Sequence, residues 1–295
     1  MERRKQGAAL AAMLVALAIG IHASQVWLLD HARTTGRPLQ KLQYLPQGDY
    51  LRVAAIGYRH IVADLLWLRA IQVMGERKLS NEDGQWLYHL LDVVTTLDPK
   101  FVRAYEAGSH ALCILVVMPE ESNRLLEKGM RHNPQEWKLP FLLGINYYFE
   151  LGDDEKAAEA MAKAARLPGA PERLVSFAAK LFVSAKSPQQ AVELLAKAYE
   201  EASDENVRKM LEIRLKESIV ERDLQILEEA IRQYQLNHTY RPEWLEDLVG
   251  PELLRELPRE PFGGHYLYEP ETGVVRSSEV TERMRITAHR RGKSQ

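Results

Sequence analysis

The chain has 295 residues, of which 46% are hydrophobic and 27% charged. That excludes a wholly disordered or collagen-like protein, and the length suits two modules or an extended array. Its 39 Lys and Arg nearly balance 41 Asp and Glu, for a net charge of -2, so no chain-wide basic field argues for nucleic acid. The single cysteine, Cys113, rules out an intrachain disulfide framework and any paired-cysteine metal or haem motif.

Residues 6–29 contain no Asp, Glu, Lys or Arg over 24 positions, long enough to cross a hydrocarbon core of about 30 Å. Arg3, Arg4 and Lys5 precede the stretch and Trp27 lies near its far end, so residues 1–29 are expected to be a transmembrane signal anchor. A cleaved signal peptide is the competing reading, against which no A-x-A precedes Ala23. The expected location is the inner membrane, single-pass, with the bulk of the chain outside the cytoplasm. Residues 30–50 mix Gly, Pro and charge without periodicity and read as a linker.

Helical patterning begins at residue 51. Residues 51–76 form a first long pattern in which 61–71 is apolar nearly all round apart from Asp64 and Arg69, which predicts a helix buried on most sides, with a helix lying against the membrane as the alternative. Prolines then recur at Pro99, Pro134 and Pro168, with spacings of 35 and 34 residues. A period near 34 is that of stacked helix pairs, each burying its apolar face against the next. In the unit over 142–168, Gly144, Tyr147, Ala157, Ala164 and Pro168 resemble the tetratricopeptide repeat family, with one extra residue before Gly152. Unit two keeps Gly108 but has Ser122 and Gly129 where the family places alanines. Unit four has Phe182, Ala191, Leu195 and Ala198 in plausible places. The resemblance covers 51–203, the first unit pairing 51–76 with 84–97.

Residues 204–236 follow as a long charged helix, its apolar positions Val207, Leu211, Leu215, Ile219, Leu224, Leu227, Ala230 and Ile231 forming one stripe suited to capping or bridging the array. Residues 237–278 differ. Tyr266 and Tyr268 flank Leu267, a PETG turn follows, and Val274 and Val275 begin a return strand, predicting a β-hairpin. Tyr240, Pro242, Leu257, Pro258, Pro261, Phe262, Gly263, Tyr266 and Tyr268 together resemble the globular end of the type II secretion major pseudopilin, a relative of type IV pilus subunits. Glu260 and Phe262 depart from that family's Asp and Trp, and the first departure tells against carrying over its calcium site. Residues 279–295 are expected to be a disordered basic tail.

No nucleophile elbow, phosphate loop or zinc-spaced cluster is present. His60 and Asp64 lie four apart without a third partner, and Glu260, Glu269 and Glu271 read as a solvated acidic group before a cation site. No catalytic residue, metal ligand or cofactor is assigned. The fold expected is mostly α: an N-terminal transmembrane helix, a tetratricopeptide-like α-solenoid, a long capping helix and a small C-terminal β-hairpin module. The repeat family implies a groove for protein partners, formed by Phe141, Ile145 and Tyr148 in unit three, Tyr105 and Ser109 in unit two, and Ser176 and Lys180 in unit four. The function expected is a membrane-anchored scaffold or adaptor, not an enzyme, in a type IV pilus or type II secretion assembly. An assembly factor for another envelope complex such as cytochrome maturation is the alternative, and an envelope hydrolase the lesser one. Partners are proteins through the groove and the membrane through 6–29, with no nucleic acid.

Overall fold

Local signals in the sequence set where the helices start. The computed structural model describes residues 45–76 and 78–284, and among these are ten α-helices and one two-stranded antiparallel sheet. The first helices are α1 (Gly48–Ala54), α2 (Arg59–Met74) and α3 (Asn81–Leu97). Ser80 and Asp83 form a capping box at the start of α3, each side chain accepting the other's backbone N–H. The helices α4 (Val102–Ile114) and α5 (Pro119–His132) follow, then α6 (Lys138–Asn146) and α7 (Asp154–Ala165), then α8 (Arg173–Ser184) and α9 (Pro188–Glu201). Pro119 and Pro188 sit in the first turns of α5 and α9, where a missing N–H removes no helical bond. Asp153 caps α7 through Lys156 N–H, and Asp204 caps α10 (Glu205–His238) through the N–H groups of Asn206 and Val207.

Packing follows a repeat-like scheme. The short α1 packs on α3, from α2 onward each helix lies against its successor, and the contacts between α3 and α5 and between α4 and α6 carry the stack from one pair to the next. Glycines sit where helices approach most closely. A Cβ on Gly108 would lie 2.8 Å from the Leu91 side chain, and one on Gly144 2.9 Å from Met161, so larger residues would separate the pairs. Asn133, before Pro134, donates to Pro99 O at 2.9 Å and so ties successive inter-pair turns together. The extra residue before Gly152 is absorbed by a single π-helical turn, Tyr147–Leu151, which continues α6 and ends at Gly152 in the left-handed region (φ 68°).

Expectation and structure part at the N-terminal end of the array. The pattern over 51–76 breaks into α1 and α2, with Ile56 and Gly57 both at positive φ (32° and 86°) between them. Nor is α2 buried on most sides. Ala63, Ala70 and Val73 are buried, yet Ile61, Leu65 and Leu68 are 56%, 62% and 56% exposed. The helix packs on α3 with one face only, and no other described helix pair precedes it.

The single-pass inner-membrane location is likewise corrected, since no helix among the described residues is long and apolar enough to cross a membrane. With 16 residues, α2 spans about 24 Å against a hydrocarbon thickness of about 30 Å, and it carries Asp64 and Arg69. The 34-residue α10 is long enough but heavily charged. The segment expected to cross, residues 6–29, lies outside the described residues, as does most of the expected linker.

At the C-terminal end α10 serves two cores. Val207, Met210, Leu211 and Leu215 complete the core of the array against α8 and α9. Beyond them Val220, Leu224, Leu227, Ala230 and Ile231 are buried with Leu245, Leu248 and Val275 of the C-terminal module. The expected hairpin is present: β1 (Tyr266–Glu269) pairs with β2 (Val274–Ser277), Tyr268 opposite Val275. Tyr266 OH donates to Asp223 at 2.9 Å and Tyr268 OH to Pro242 O at 3.0 Å, so the alternating tyrosines anchor the hairpin to α10 and to the turn after it. Burial, then the neighbouring Asp223 carboxylate, pushes the Tyr266 phenol well above its ordinary value.

The segment read as the start of a disordered tail also packs. Arg283 forms ion pairs with Glu221 and Glu228, Met284 N–H donates to Glu221, and the Met284 side chain is buried beside Ser218. Residues 285–295 lie outside the described residues.

Candidate functional site

The seven groove residues divide into three environments. Tyr105 and Tyr148 belong to the core, at 0% and 3% exposure. The Tyr105 hydroxyl turns inward toward Thr95 O and Pro99 O, its ring lies against Gly129, and burial pushes its phenol up to about 12. Tyr148 packs edge-on to Phe149 at 4.8 Å. Neither is a groove residue. An aromatic at these positions fills the gap between helix pairs.

Ser109 is also buried, at 1% exposure, and is corrected as a groove contact. It ends a polar chain through three helices. Cys113 Sγ donates to Asn146 Oδ1 (3.1 Å), Asn146 Nδ2 donates to Ser122 Oγ and Asn123 Oδ1 (both 2.9 Å), and Ser122 Oγ donates to Ser109 Oγ (2.8 Å). This network explains why Ser122 stands where an alanine was expected, because the buried Asn146 amide must find acceptors. Sequence reasoning passed over Asn146, a lone amide in an apolar helix, whose only signal was the matching serine in α5. Ile145 lines a cavity of about 350 Å³ beside this network, between α4 and α6.

Phe141, Ser176 and Lys180 come together. They line a cavity of about 430 Å³ between the start of α6 and α8, with Arg214 of α10 at its edge. Trp137 and Phe141 stack edge to face, ring centres 5.8 Å apart, and Phe177 and Leu174 supply further apolar surface. The Ser176 hydroxyl oxygen is buried in this setting without a hydrogen-bond partner. Among the described residues Arg173 and Lys180 form no ion pair, while Arg214 pairs with Glu217 at 2.7 Å. The cavity is thus apolar and aromatic in its walls, with one unsatisfied hydroxyl and a cationic rim. Sequence reasoning reads Trp137 as a repeat-core aromatic rather than a pocket wall, and does not single out Arg173.

The weaker chemical candidates disperse. His60 Nδ1 lies 3.3 Å from the Asp98 carboxylate, a contact that joins α2 to the turn after α3, so the partner is not Asp64. Glu260 uses both oxygens on the chain itself, accepting from Phe262 N–H (2.7 Å), Gly264 N–H (3.0 Å) and the Ser277 hydroxyl (3.1 Å). Among the described residues no group of three or more His, Cys, Asp or Glu is placed to hold a metal. Lys128, buried between pairs, donates to Asp92 and Thr96; burial pushes its ammonium below the ordinary value, against the pull of Asp92.

Compared with known proteins, the chain matches no family model and no curated protein. What the geometry defines is a mostly helical, repeat-like architecture closed by a small β-module.

Proposed function

We propose that the protein is a binding scaffold of the tetratricopeptide type, whose partners are proteins held by the first helices of its pairs at α6 and α8. One observation carries the reading: Phe141, Ser176 and Lys180, brought from two neighbouring units, line a single cavity with an unsatisfied hydroxyl and two cations that pair with no described acid. Stacked helix pairs favour this use, because neighbouring units present side chains along a continuous face.

The narrower assignment, to a type IV pilus or type II secretion assembly, rests on the resemblance of the C-terminal module to the pseudopilin end. Its supporting features are the hairpin tyrosines and the Leu257 to Gly263 segment. The test is site-specific photocrosslinking in cells, with a benzophenone side chain at Phe141 or Ile145 and at exposed Arg124 or Lys163 on α5 and α7. One partner captured from the first two positions and absent from the other two is the expected result. Equal capture from all four, or none, would remove the groove reading.

A further inference from the structure

The cavity between α6 and α8 carries the chemistry of its occupant, and the following rests on the scaffold reading. Its walls are Trp137, Phe141 and Phe177, and its volume of about 430 Å³ lies within the range that accepts bulky groups. Arg173 and Lys180 lack an ion-pair partner among the described residues and stand seven positions apart on α8, two turns or about 10 Å along the axis. An extended chain advances about 3.3 Å per residue, so three residues cover that distance. The Ser176 hydroxyl lies between the two cations in sequence, with no partner of its own.

We propose that this cavity binds an extended acidic peptide of the form acid, bulky apolar, any residue, acid. Its two carboxylates pair with Arg173 and Lys180, its apolar side chain enters between Trp137 and Phe177, and a backbone group satisfies Ser176. Each interaction removes a defect of the unbound surface: unneutralised cations, an unfilled aromatic cavity and a buried hydroxyl without a bond. The apolar insertion supplies most of the affinity and the paired charges supply direction along the groove.

The test uses the full chain and three fluorescein-labelled octapeptides with Gly-Ser flanks, their centres being Asp-Phe-Leu-Asp, Lys-Phe-Leu-Lys and Asp-Ser-Ser-Asp. Fluorescence anisotropy should give the first at least tenfold tighter binding than either control. In Arg173→Glu/Lys180→Glu the preference should reverse toward the lysine peptide, and Ser176→Ala should weaken the first peptide about threefold. Circular dichroism of each variant checks that the helices are intact. Equal binding of the first two peptides would overturn the role of the rim cations. Equal binding of the first and third would mean surface charge alone and overturn the cavity. No saturable binding of any peptide overturns the inference as a whole. In that case the scaffold reading still stands or falls by the photocrosslinking pattern, which depends on no assumption about peptide sequence.

Discussion

At its C-terminal end the array of helix pairs closes on α10, whose first half seals the core against α8 and α9 and whose second half lies beneath the β-module. At the N-terminal end α2 turns Ile61, Leu65 and Leu68 toward no described element. Both helices are terminal members of the stack, yet they end it by different means. The charged α10 leaves mostly polar residues outside the two cores, with Ile213, Ile226 and Leu236 among them, and its buried carboxylates are answered: Asp223 by Arg222 and Tyr266, Glu221 by Arg283 and Met284 N–H. On α2 the exposed polar residues His60, Asp64 and Gln72 are interleaved with exposed Ile61, Leu65 and Leu68, so its outer side is mixed. A helix that ends a stack is served by two unlike faces, and α10, with a second core to cover its apolar residues, comes nearer to that than α2.

The largest effect separating the two ends should come from the shared core. Leu227, at 0% exposure among the module-facing residues of α10, should cost about 2–5 kcal/mol when replaced by Ala, read as a lower urea midpoint for unfolding followed by circular dichroism. A loss under about 1 kcal/mol would mean that the module adds little to this end. Next in size is Glu221→Gln, which weakens the acceptor of both Arg283 and Met284 N–H. A loss of about 1.5–3 kcal/mol is expected, together with faster trypsin cleavage after Arg283; an unchanged cleavage rate would detach the 279–284 segment from the stability of the end. The smallest effect belongs to the open face. Leu65→Glu, at 62% exposure, should shift stability by no more than about 0.5 kcal/mol, and a loss above about 1 kcal/mol would show that something covers this face in the whole protein.

Much of the array was legible in order. The prolines at 99, 134 and 168 lie just after helices ending at Leu97, His132 and Ala165, and the glycines at 108 and 144 lie where helices cross closely. Such signals are local, since a helix stop or a missing side chain acts wherever the fold places it. The candidate site was only partly legible. Five of its seven residues, Ser109, Phe141, Ile145, Ser176 and Lys180, line cavities, although Ser109 is itself buried, and Tyr105 and Tyr148 lie in the core. Helical spacing gives the direction a side chain leaves its own helix, not whether a neighbour stands a few ångströms away. Asn146 was illegible for the same reason, since its partners Ser122 and Asn123 lie on another helix.

The sequence by itself determined where helices stop before Pro99, Pro134 and Pro168, the pairing of the strands around the PETG turn and the spacing of about 34 residues, because prolines, glycines and alternation act over a few residues of chain. Tertiary structure alone decided that α2 keeps one apolar side bare, that α10 belongs to two cores, and that Arg283 and Met284 close on Glu221 across more than 60 residues of sequence. Those outcomes depend on which surfaces meet, and an apolar or charged side chain carries the same local preference whether its neighbour is another helix or water.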